Sequence, residues 1–335
     1  MRLPEQLEKK LAKDTALLGA VNSSLAEFEP WIKSSGLPFF PEYTDHGPEH
    51  IENVLQTAYA LMSNESREII TPSDAAVLVL AILLHDVAMH LSEDSFFYLI
   101  QHDQNHPVID GFDDKPWCLL WEDFMSEAKR FDGRKLISLF GDTNPVHPLP
   151  SDPMSLTKRD RLLAGEFLRR HHPRLAHEIA LFGVPSPQKN KLRLKNVPDY
   201  LADLAGLIAR SHGLPLRSCF PYLQTKYALR EFKGIHAVFH MTLVRVADYL
   251  QADAERAPQQ VLKVKQLRSP VSQGEWKAHH AIRDIRLAED DPEAIFIDAQ
   301  PNDVKTYLRI KELLSGIQNE LDASWAALGE VYGRF

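Results

Sequence analysis

The chain has 335 residues, of which 44% are hydrophobic and 25% are charged, a composition typical of folded globular proteins and unlike that of disordered or collagen-like chains. Its 38 basic and 46 acidic residues give a net charge of −8, which disfavours a protein that binds nucleic acid over its whole surface. With only two cysteines, Cys118 and Cys219, the chain can form neither a disulfide framework nor a cysteine zinc site, so we expect a reducing, cytoplasmic location.

Three helices are predicted in the first 90 residues. Apolar residues spaced three and four apart over residues 5–33 predict one amphipathic helix, within an N-terminal element placed at residues 1–39. A second helix is predicted to begin near Pro48. The third begins at Thr71, because the proline that follows suits a first turn and an acid two residues beyond that proline suits the helix dipole. The ten-residue apolar run from Ala75 to Leu84 is too short to span a bilayer and predicts the buried central helix of the fold.

Residues 91–156 differ from their surroundings, because they are rich in aromatic residues and, towards the end, in prolines. We predict one or two short helices around 117–140 and then a long loop, which together form an insertion that caps a pocket. The aromatic side chains favour core packing for these helices over a platform on which bases stack.

The chain is predicted to return to helix after this insertion. Three helices are expected, at 157–183, 198–212 and 220–253. Strands are predicted at 282–288 and 294–299, joined by an acidic turn, and a long final helix follows. The expected fold class is therefore all-α, a helical bundle with an inserted helical and loop cap and a small C-terminal α+β appendage over 257–335.

The final helix carries an apolar seam with alternating spacings of four and three, interrupted only by Ser324. The apolar members are Ile310, Leu314, Ile317, Leu321, Leu328 and Val331. This pattern favours packing within the molecule. A contact in a homo-oligomer, or a connection to a following domain, is the alternative.

Polar residues end or interrupt several apolar runs that should face the interior of the bundle. They are His50, His85, Asp86, His172, His212 and Asp248. Burial of a carboxylate is unfavourable unless the group is paired or binds a metal. Because bundles build metal sites from side chains on facing helices, these residues predict a cation site. Imidazole and carboxylate ligands without thiolate suit Mn, Fe, Zn, Ni, Co or Mg, and the sequence does not choose among these metals.

Three segments also resemble a known signature. Leu83-Leu84-His85-Asp86-Val87 is similar to the core motif of the HD superfamily of metal-dependent phosphohydrolases. The segment from His50 to Val54 resembles the first-histidine pattern of that superfamily, and Leu243 to Leu250 resembles its closing segment, whose aspartate completes the site. The resemblance covers roughly residues 40–256 and implies a bundle of helices around metal ions.

The resemblance implies a role for each candidate ligand. A first metal would be held by His50, His85, Asp86 and Asp248. In two-metal members of the superfamily, additional histidines hold a second metal and the aspartate of the His-Asp pair bridges the two ions. The second-metal histidines here would be His172 and His212, with His171 and His177 as alternatives to His172.

Phosphoryl chemistry follows from such a site. Two divalent ions about 3.5–4 Å apart can hold a water-derived nucleophile and clamp a phosphoryl oxygen. Asp86, as the bridge, is the first candidate catalytic residue. His46 is a candidate proton donor to the leaving group or a support for a ligand, and Arg169, on the same helix face as His172, is a candidate for holding a non-reacting phosphate. Further candidates for phosphate binding are Arg170, Arg210, Arg245 and Lys226.

The leading interpretation is a metal-dependent phosphohydrolase that acts on a phosphate ester or anhydride of a nucleotide. The insertion and the acidic charge favour a small phosphorylated molecule over nucleic acid. Within the same chemistry, the alternative is an HD-type nuclease or a cyclic-nucleotide phosphodiesterase. In a different class, a regulatory module would sense a nucleotide without turnover and transmit its state to a partner domain. No association with a membrane is expected.

Overall fold

Helices dominate the computed structural model, which describes residues 1–44, 46–101, 106–188, 190–252, 270–288 and 294–333. In these residues there are fourteen α-helices and a single two-stranded sheet. The predicted fold class, an all-α bundle with a small C-terminal appendage, is confirmed.

The N-terminal segment contains two helices, α1 (Glu5–Leu11) and α2 (Thr15–Ser34), so the single helix predicted over 5–33 is wrong. The break has a local cause. The Asp14 carboxylate accepts hydrogen bonds from the backbone N–H groups of Ala16 at 3.0 Å and Leu17 at 3.1 Å, which caps a new helix instead of continuing the old one.

Next in the chain come α3 (Pro48–Leu61), α4 (Asn64–Ile69) and α5 (Pro72–Leu84). Helix α5 begins as predicted, with a capping box between Thr71 and Asp74. Within the described part of the chain, Pro72–His90 is the one helical segment apolar and long enough to cross a membrane, and 83% of its most apolar window is buried inside the protein. Helix α5 is therefore the central helix of the bundle, as its composition predicts.

The inserted segment 91–156 contains α6 (Glu93–Gln101), α7 (Trp117–Ala128) and α8 (Gly133–Phe140). Its aromatic rings pack around Phe167, whose ring centroid lies 5.1 Å from that of Trp121 and 5.4 Å from that of Phe124. The prediction that these aromatic residues form core packing is confirmed.

The remaining bundle helices are α9 (Lys158–Phe182), α10 (Asp199–Ser211), α11 (Phe220–Lys226) and α12 (Ala237–Tyr249). The continuous helix predicted over 220–253 is wrong. Lys233 and Gly234 have φ angles of +50° and +76°, in the left-handed region, so the chain turns between α11 and α12. Helix α10 packs against α5, α9 and α12, which brings these four helices to one place.

The C-terminal part begins with α13 (Pro270–Ala281), followed by β1 (Ile282–Leu287), β2 (Ile295–Ala299) and α14 (Val304–Tyr332). The two strands pair as predicted, and the structure shows that they run antiparallel with Ile285 opposite Ile297. The acidic turn predicted between them lies at 289–293, outside the described residues.

Helix α14 packs against α12, but its buried face differs from the predicted apolar seam. Ile310 and Ile317 are buried as expected, whereas Leu314 is 39% exposed. Two polar residues, Glu320 and Ser324, are buried on this face. A purely hydrophobic pattern therefore misplaces part of the interface.

Candidate metal centre

A first group of ligands lies where α3, α5 and α12 meet. It consists of His50, His85, Asp86 and Asp248. The Nε2 atoms of His50 and His85 are 3.3 Å apart, and Nε2 of His85 lies 3.3 Å from Oδ2 of Asp86. The Oδ1 atom of Asp248 is 3.6 Å from Nε2 of His50 and 3.7 Å from Nε2 of His85. These four ligand atoms lie within 4.8 Å of one another, a spacing that suits one cation.

A second group uses the other oxygen of Asp86. Its Oδ1 atom lies 3.4 Å from Nε2 of His172, on α9, and 3.9 Å from Nε2 of His212, at the end of α10. Asp86 thus directs Oδ2 towards the first group and Oδ1 towards the second. All six metal ligands named from the sequence are brought together in these two groups.

Backbone carbonyls fix the orientation of three of the histidine ligands. The Nδ1 atoms of His85, His172 and His212 bond to the carbonyl oxygens of residues three positions earlier, at 2.7, 2.7 and 2.5 Å. A carbonyl only accepts, so each Nδ1 carries the proton and each Nε2 faces the site. His85 and His212 stand at helix ends, where the last carbonyls lack the usual partner four residues later, although the Ala209 carbonyl also accepts the backbone N–H of His212 at 3.4 Å.

The carbonyl that accepts the hydrogen bond from His172 is available for a different reason. Pro173 lies inside α9 and has no N–H group, so the carbonyl of Arg169, four residues earlier, loses its usual partner. The Nδ1–H group of His172 takes this carbonyl instead. The proline next to the ligand therefore sets the tautomer of the ligand.

The two histidines of the second group have the protonation state that a metal ligand needs. Burial and the nearby His212 lower the pKa of His172 to about 4, and burial lowers the pKa of His212. Both rings are therefore neutral near pH 7, and their Nε2 lone pairs face each other at 2.8 Å. Facing lone pairs repel unless a cation lies between them, so these donors fit a divalent ion.

In the first group, the charged forms of His85 and Asp86 stabilise each other. Burial alone would raise the pKa of Asp86, but His85 and His50 outweigh it and hold the pKa well below its usual range. Burial likewise opposes a charge on His85, but the carboxylates of Asp86 and Asp248 raise its pKa well above the usual value. Without a metal, a proton on His85 thus occupies the position that suits a cation.

A comparison with protein families agrees with this centre. The family model described as HD-CE matches residues 40–323, which is most of the chain. The chain belongs to the HD-CE family. This is an HD-like family, so the resemblance drawn from the three motif segments is confirmed at that level. No curated protein and no solved structure matches the chain.

The candidate metal centre of this HD-CE protein borders a cleft of about 430 Å³. The cleft is lined by ligands of both groups and by other side chains, among them Tyr43, Arg169, Arg170 and Tyr249. Arg169 is 48% exposed and is held by Glu166, whose Oε2 lies 2.9 Å from Nε. Arg170 is bound by two carboxylates, those of Glu127 and Glu166.

His46 lies at the edge of the first group. Its Nδ1–H donates to the carbonyl of Thr44 at 2.8 Å, and its Nε2 lies 3.8 Å from Oδ2 of Asp86. The structure thus places all three predicted catalytic residues, Asp86, His46 and Arg169, at the cleft.

Three of the further phosphate-binding candidates lie elsewhere. Arg210 is buried and forms two hydrogen bonds of 2.6 Å with Asp113. Lys226 donates to the Tyr222 hydroxyl at 2.7 Å, and Arg245 is buried between helices.

The alternative histidines also lie outside the centre. The ring of His171 packs on Phe167, with centroids 4.7 Å apart, and Nε2 of His177 bonds to Asp203 at 2.7 Å. Of the three closely spaced histidines on α9, only His172 reaches Asp86.

None of the described residues of the inserted segment 91–156 lines the cleft, so the predicted cap over a pocket is not found at this site. Glu127 on α7 and Lys135 on α8 reach the cluster formed by Arg169, Arg170 and Glu166. The segment thus contacts the arginines from outside the cleft.

Sequence reasoning missed several residues that shape the centre. Tyr43 and Tyr249 line the cleft, and their proximity to His46 and Asp248 in the sequence was the available signal. His90, which we expected to be a surface or packing residue, is buried, and its Nε2–H donates to the carbonyl of His46 at 3.0 Å. Its position four residues after Asp86 gave no sign of this contact.

Gly213 is the other missed residue. A Cβ atom at this position would lie 2.2 Å from Cγ of Pro173. Only glycine therefore allows the end of α10 to approach α9 closely enough to bring His212 to His172.

Proposed function

We propose that this HD-CE protein is a metal-dependent phosphohydrolase that cleaves a phosphate ester or anhydride of a small phosphorylated molecule, with a nucleotide as the leading candidate. The observation that carries the proposal is Asp86, which directs one carboxylate oxygen into each ligand group. A shared carboxylate between two sets of N and O ligands is the arrangement that a two-metal hydrolytic centre needs.

The chemistry divides between the metal ions and the side chains. Two divalent ions bound there would supply a water-derived nucleophile at neutral pH and neutralise charge on the phosphoryl group. His46, with Nδ1–H fixed on Thr44, presents Nε2 towards the centre and is proposed to accept or return a proton during the reaction. Arg169, positioned by Glu166 and still half exposed, is proposed to bind a non-reacting phosphate oxygen.

The dimensions and charge of the molecule support a small substrate. A cleft of about 430 Å³ is of the size that holds a small molecule. The net charge of −8 disfavours long nucleic acid. We further propose that the protein works in the cytoplasm, and that α14, on which Tyr307 and Leu308 are half exposed, contacts a second copy or a following domain.

The test combines metal analysis with a substrate panel. The purified chain is expected to retain divalent metal and to hydrolyse at least one compound among nucleoside triphosphates, nucleotide monoesters, cyclic nucleotides and short DNA. Activity confined to the cyclic nucleotides or DNA would favour the phosphodiesterase or nuclease alternative. Bound metal with no turnover of any phosphate ester would contradict the proposal and favour a sensing module.

The site assignment is tested by Asp86→Ala. This variant should fold and lose activity by more than about 100-fold, because even partners outside the ligand set cost 10- to 100-fold in comparable metal sites. Asp123→Ala is the matched control, since Asp123 is an exposed carboxylate that pairs with Lys115 on the inserted segment. Full activity in Asp86→Ala would show that the site is misassigned.

A further inference from the structure

A buried ion pair joins the C-terminal helix to the bundle. Arg245 on α12 and Glu320 on α14 are 8% and 7% exposed. Nη2 of Arg245 donates to Oε2 of Glu320 at 2.8 Å, and Nε donates to Oε1. This two-point contact explains why a glutamate lies on the buried face of α14, since a buried carboxylate needs a charged partner.

The third nitrogen of the same guanidinium reaches the end of α10. Nη1 of Arg245 donates to the carbonyl of Ser211 and, at 2.6 Å, to the carbonyl of Leu214. These residues flank His212 and Gly213. The guanidinium therefore holds the turn that carries a ligand of the second group.

Arg245 is also close to the first group along its own helix. Asp248 lies three residues later on α12, one turn away. A single side chain thus connects the helix that presents Asp248, the turn that presents His212 and, through Glu320, the C-terminal helix.

We propose that Arg245 and Glu320 are positioning residues of the metal centre, and that through them α14 holds the turn that carries His212 in the place where the second ligand group is complete. Neither residue is among those lining the cleft, so neither acts on substrate. The inference rests on the two-metal centre of the proposed function and does not depend on which phosphate compound is hydrolysed.

Arginine is required for this arrangement. Its planar fork serves the two oxygens of Glu320 and the two backbone carbonyls at once. A lysine would keep the charge opposite Glu320 but offers one compact ammonium group, which cannot span both sets of acceptors. Arg245→Lys therefore separates charge balance from positioning.

The experiment measures binding of Mn²⁺ alone to the full chain by titration calorimetry, with the metal content per chain determined after dialysis. We expect two Mn²⁺ ions per wild-type chain. In Glu320→Gln and Arg245→Lys, the second ion should bind roughly 10- to 100-fold more weakly, the range seen when partners that orient metal ligands are lost. Glu330→Gln is the matched control on the same helix, because it removes an exposed ion pair with Arg217 and should bind both ions like the wild type.

A double variant distinguishes positioning from stability. In Arg245→Met/Glu320→Leu the buried charges are replaced by apolar side chains of similar size, a change that proteins often tolerate. The metal-free melting temperature should return to near the wild-type value, while the second Mn²⁺ ion remains weakly bound because the carbonyls of Ser211 and Leu214 have lost their donor.

Different results would contradict the positioning role and the proposed function. Wild-type affinity for both ions in Arg245→Lys or in the double variant would contradict the positioning role of Arg245 and Glu320. The proposal of a two-metal centre would remain valid in that case. A wild-type chain that binds no Mn²⁺ or other divalent ion would overturn the proposed function, and this inference with it.

Discussion

Hydrogen bonds to backbone carbonyls orient three of the histidines in the candidate metal site. His50, His85 and Asp248 stand in segments whose pattern is recognisable without a structure. The tautomers of His172 and His212 depend on backbone carbonyls that a proline and a helix end make accessible. Such details depend on hydrogen bonds that close only when the helices are formed, so no sequence pattern records them.

The two ligand groups should respond differently to pH. Because the pKa of His85 is raised well above its usual value, metal must displace a proton from the first group near pH 7. The pKa of His172 is about 4, so no proton needs to leave that ring above about pH 5. We expect the affinity of the first group for Mn²⁺ to rise as the pH increases above about 6.5 and that of the second to stay nearly constant.

This difference can be measured by calorimetry in buffers of different ionisation enthalpy, which counts the protons released at each binding step. One step should release protons near pH 7 and the other almost none. Two equal steps would contradict the assignment. The metal-free protein gives a second check. The folded-state pKa of His85 lies above its unfolded value of about 6.5, so stability should fall as pH rises from there through the folded-state pKa.

At the level of elements, the helices that build the site were largely predictable. Helices α5 and α9 begin at capping threonines, and α10 begins directly after Pro198, as the sequence predicts. The predictions of continuous helices over 5–33 and 220–253 are wrong for local reasons. Asp14 caps a new helix, and the chain makes a left-handed turn at Lys233 and Gly234. Each of these features involves only one or two residues. The apolar spacing continues on both sides of it, so the sequence pattern alone does not indicate a break.

The approach of α10 to α9 is tested by Gly213→Ala. The new methyl group would lie 2.2 Å from the ring of Pro173, so the two helices must separate. We expect a loss of about 1–3 kcal/mol in the free energy of unfolding, as for other overpacked sites, and weaker binding of the metal that His172 and His212 share. Chemical denaturation and Mn²⁺ titration measure the two effects.

Gly19→Ala provides the control for this substitution. Gly19 lies inside α2, and no atom lies within 4 Å of the position that a Cβ atom would occupy there, so alanine should be neutral or stabilising by up to about 1 kcal/mol. If Gly213→Ala behaved like Gly19→Ala, the close approach of the two helices would not depend on glycine.

For the molecule as a whole, the centre ties together five helices. The six ligands come from α3, α9 and α12 and from the ends of α5 and α10. The division at about residue 256 stays a prediction, and across it α14 packs against α12 and bonds to Arg245 through Glu320. Glu320 looks like a solvent-exposed residue in the sequence, and only its pairing with Arg245 reveals that it is buried.

Removal of metal should therefore lower the stability of the whole bundle. At a free metal concentration 100 times the dissociation constant, one bound ion contributes about 2.7 kcal/mol. We expect EDTA to lower the melting temperature of the wild-type chain by several degrees and to leave that of Asp86→Ala unchanged, as followed by calorimetry. If EDTA did not change the melting temperature of the wild-type chain, the prediction that bound metal stabilises the bundle would be wrong.

The candidate ligands are far apart in the sequence, so the ribosome synthesises them at different times. His50, His85 and Asp86 are made early, whereas Asp248 follows 162 residues after Asp86 and Glu320 comes later still. At about 5–20 residues per second, a nascent chain spends roughly 10–30 seconds with Asp248 as the one missing member of the first ligand group. A closed centre can form only once most of the chain has been synthesised, so the ion is captured by a nearly finished bundle and not by its first helices.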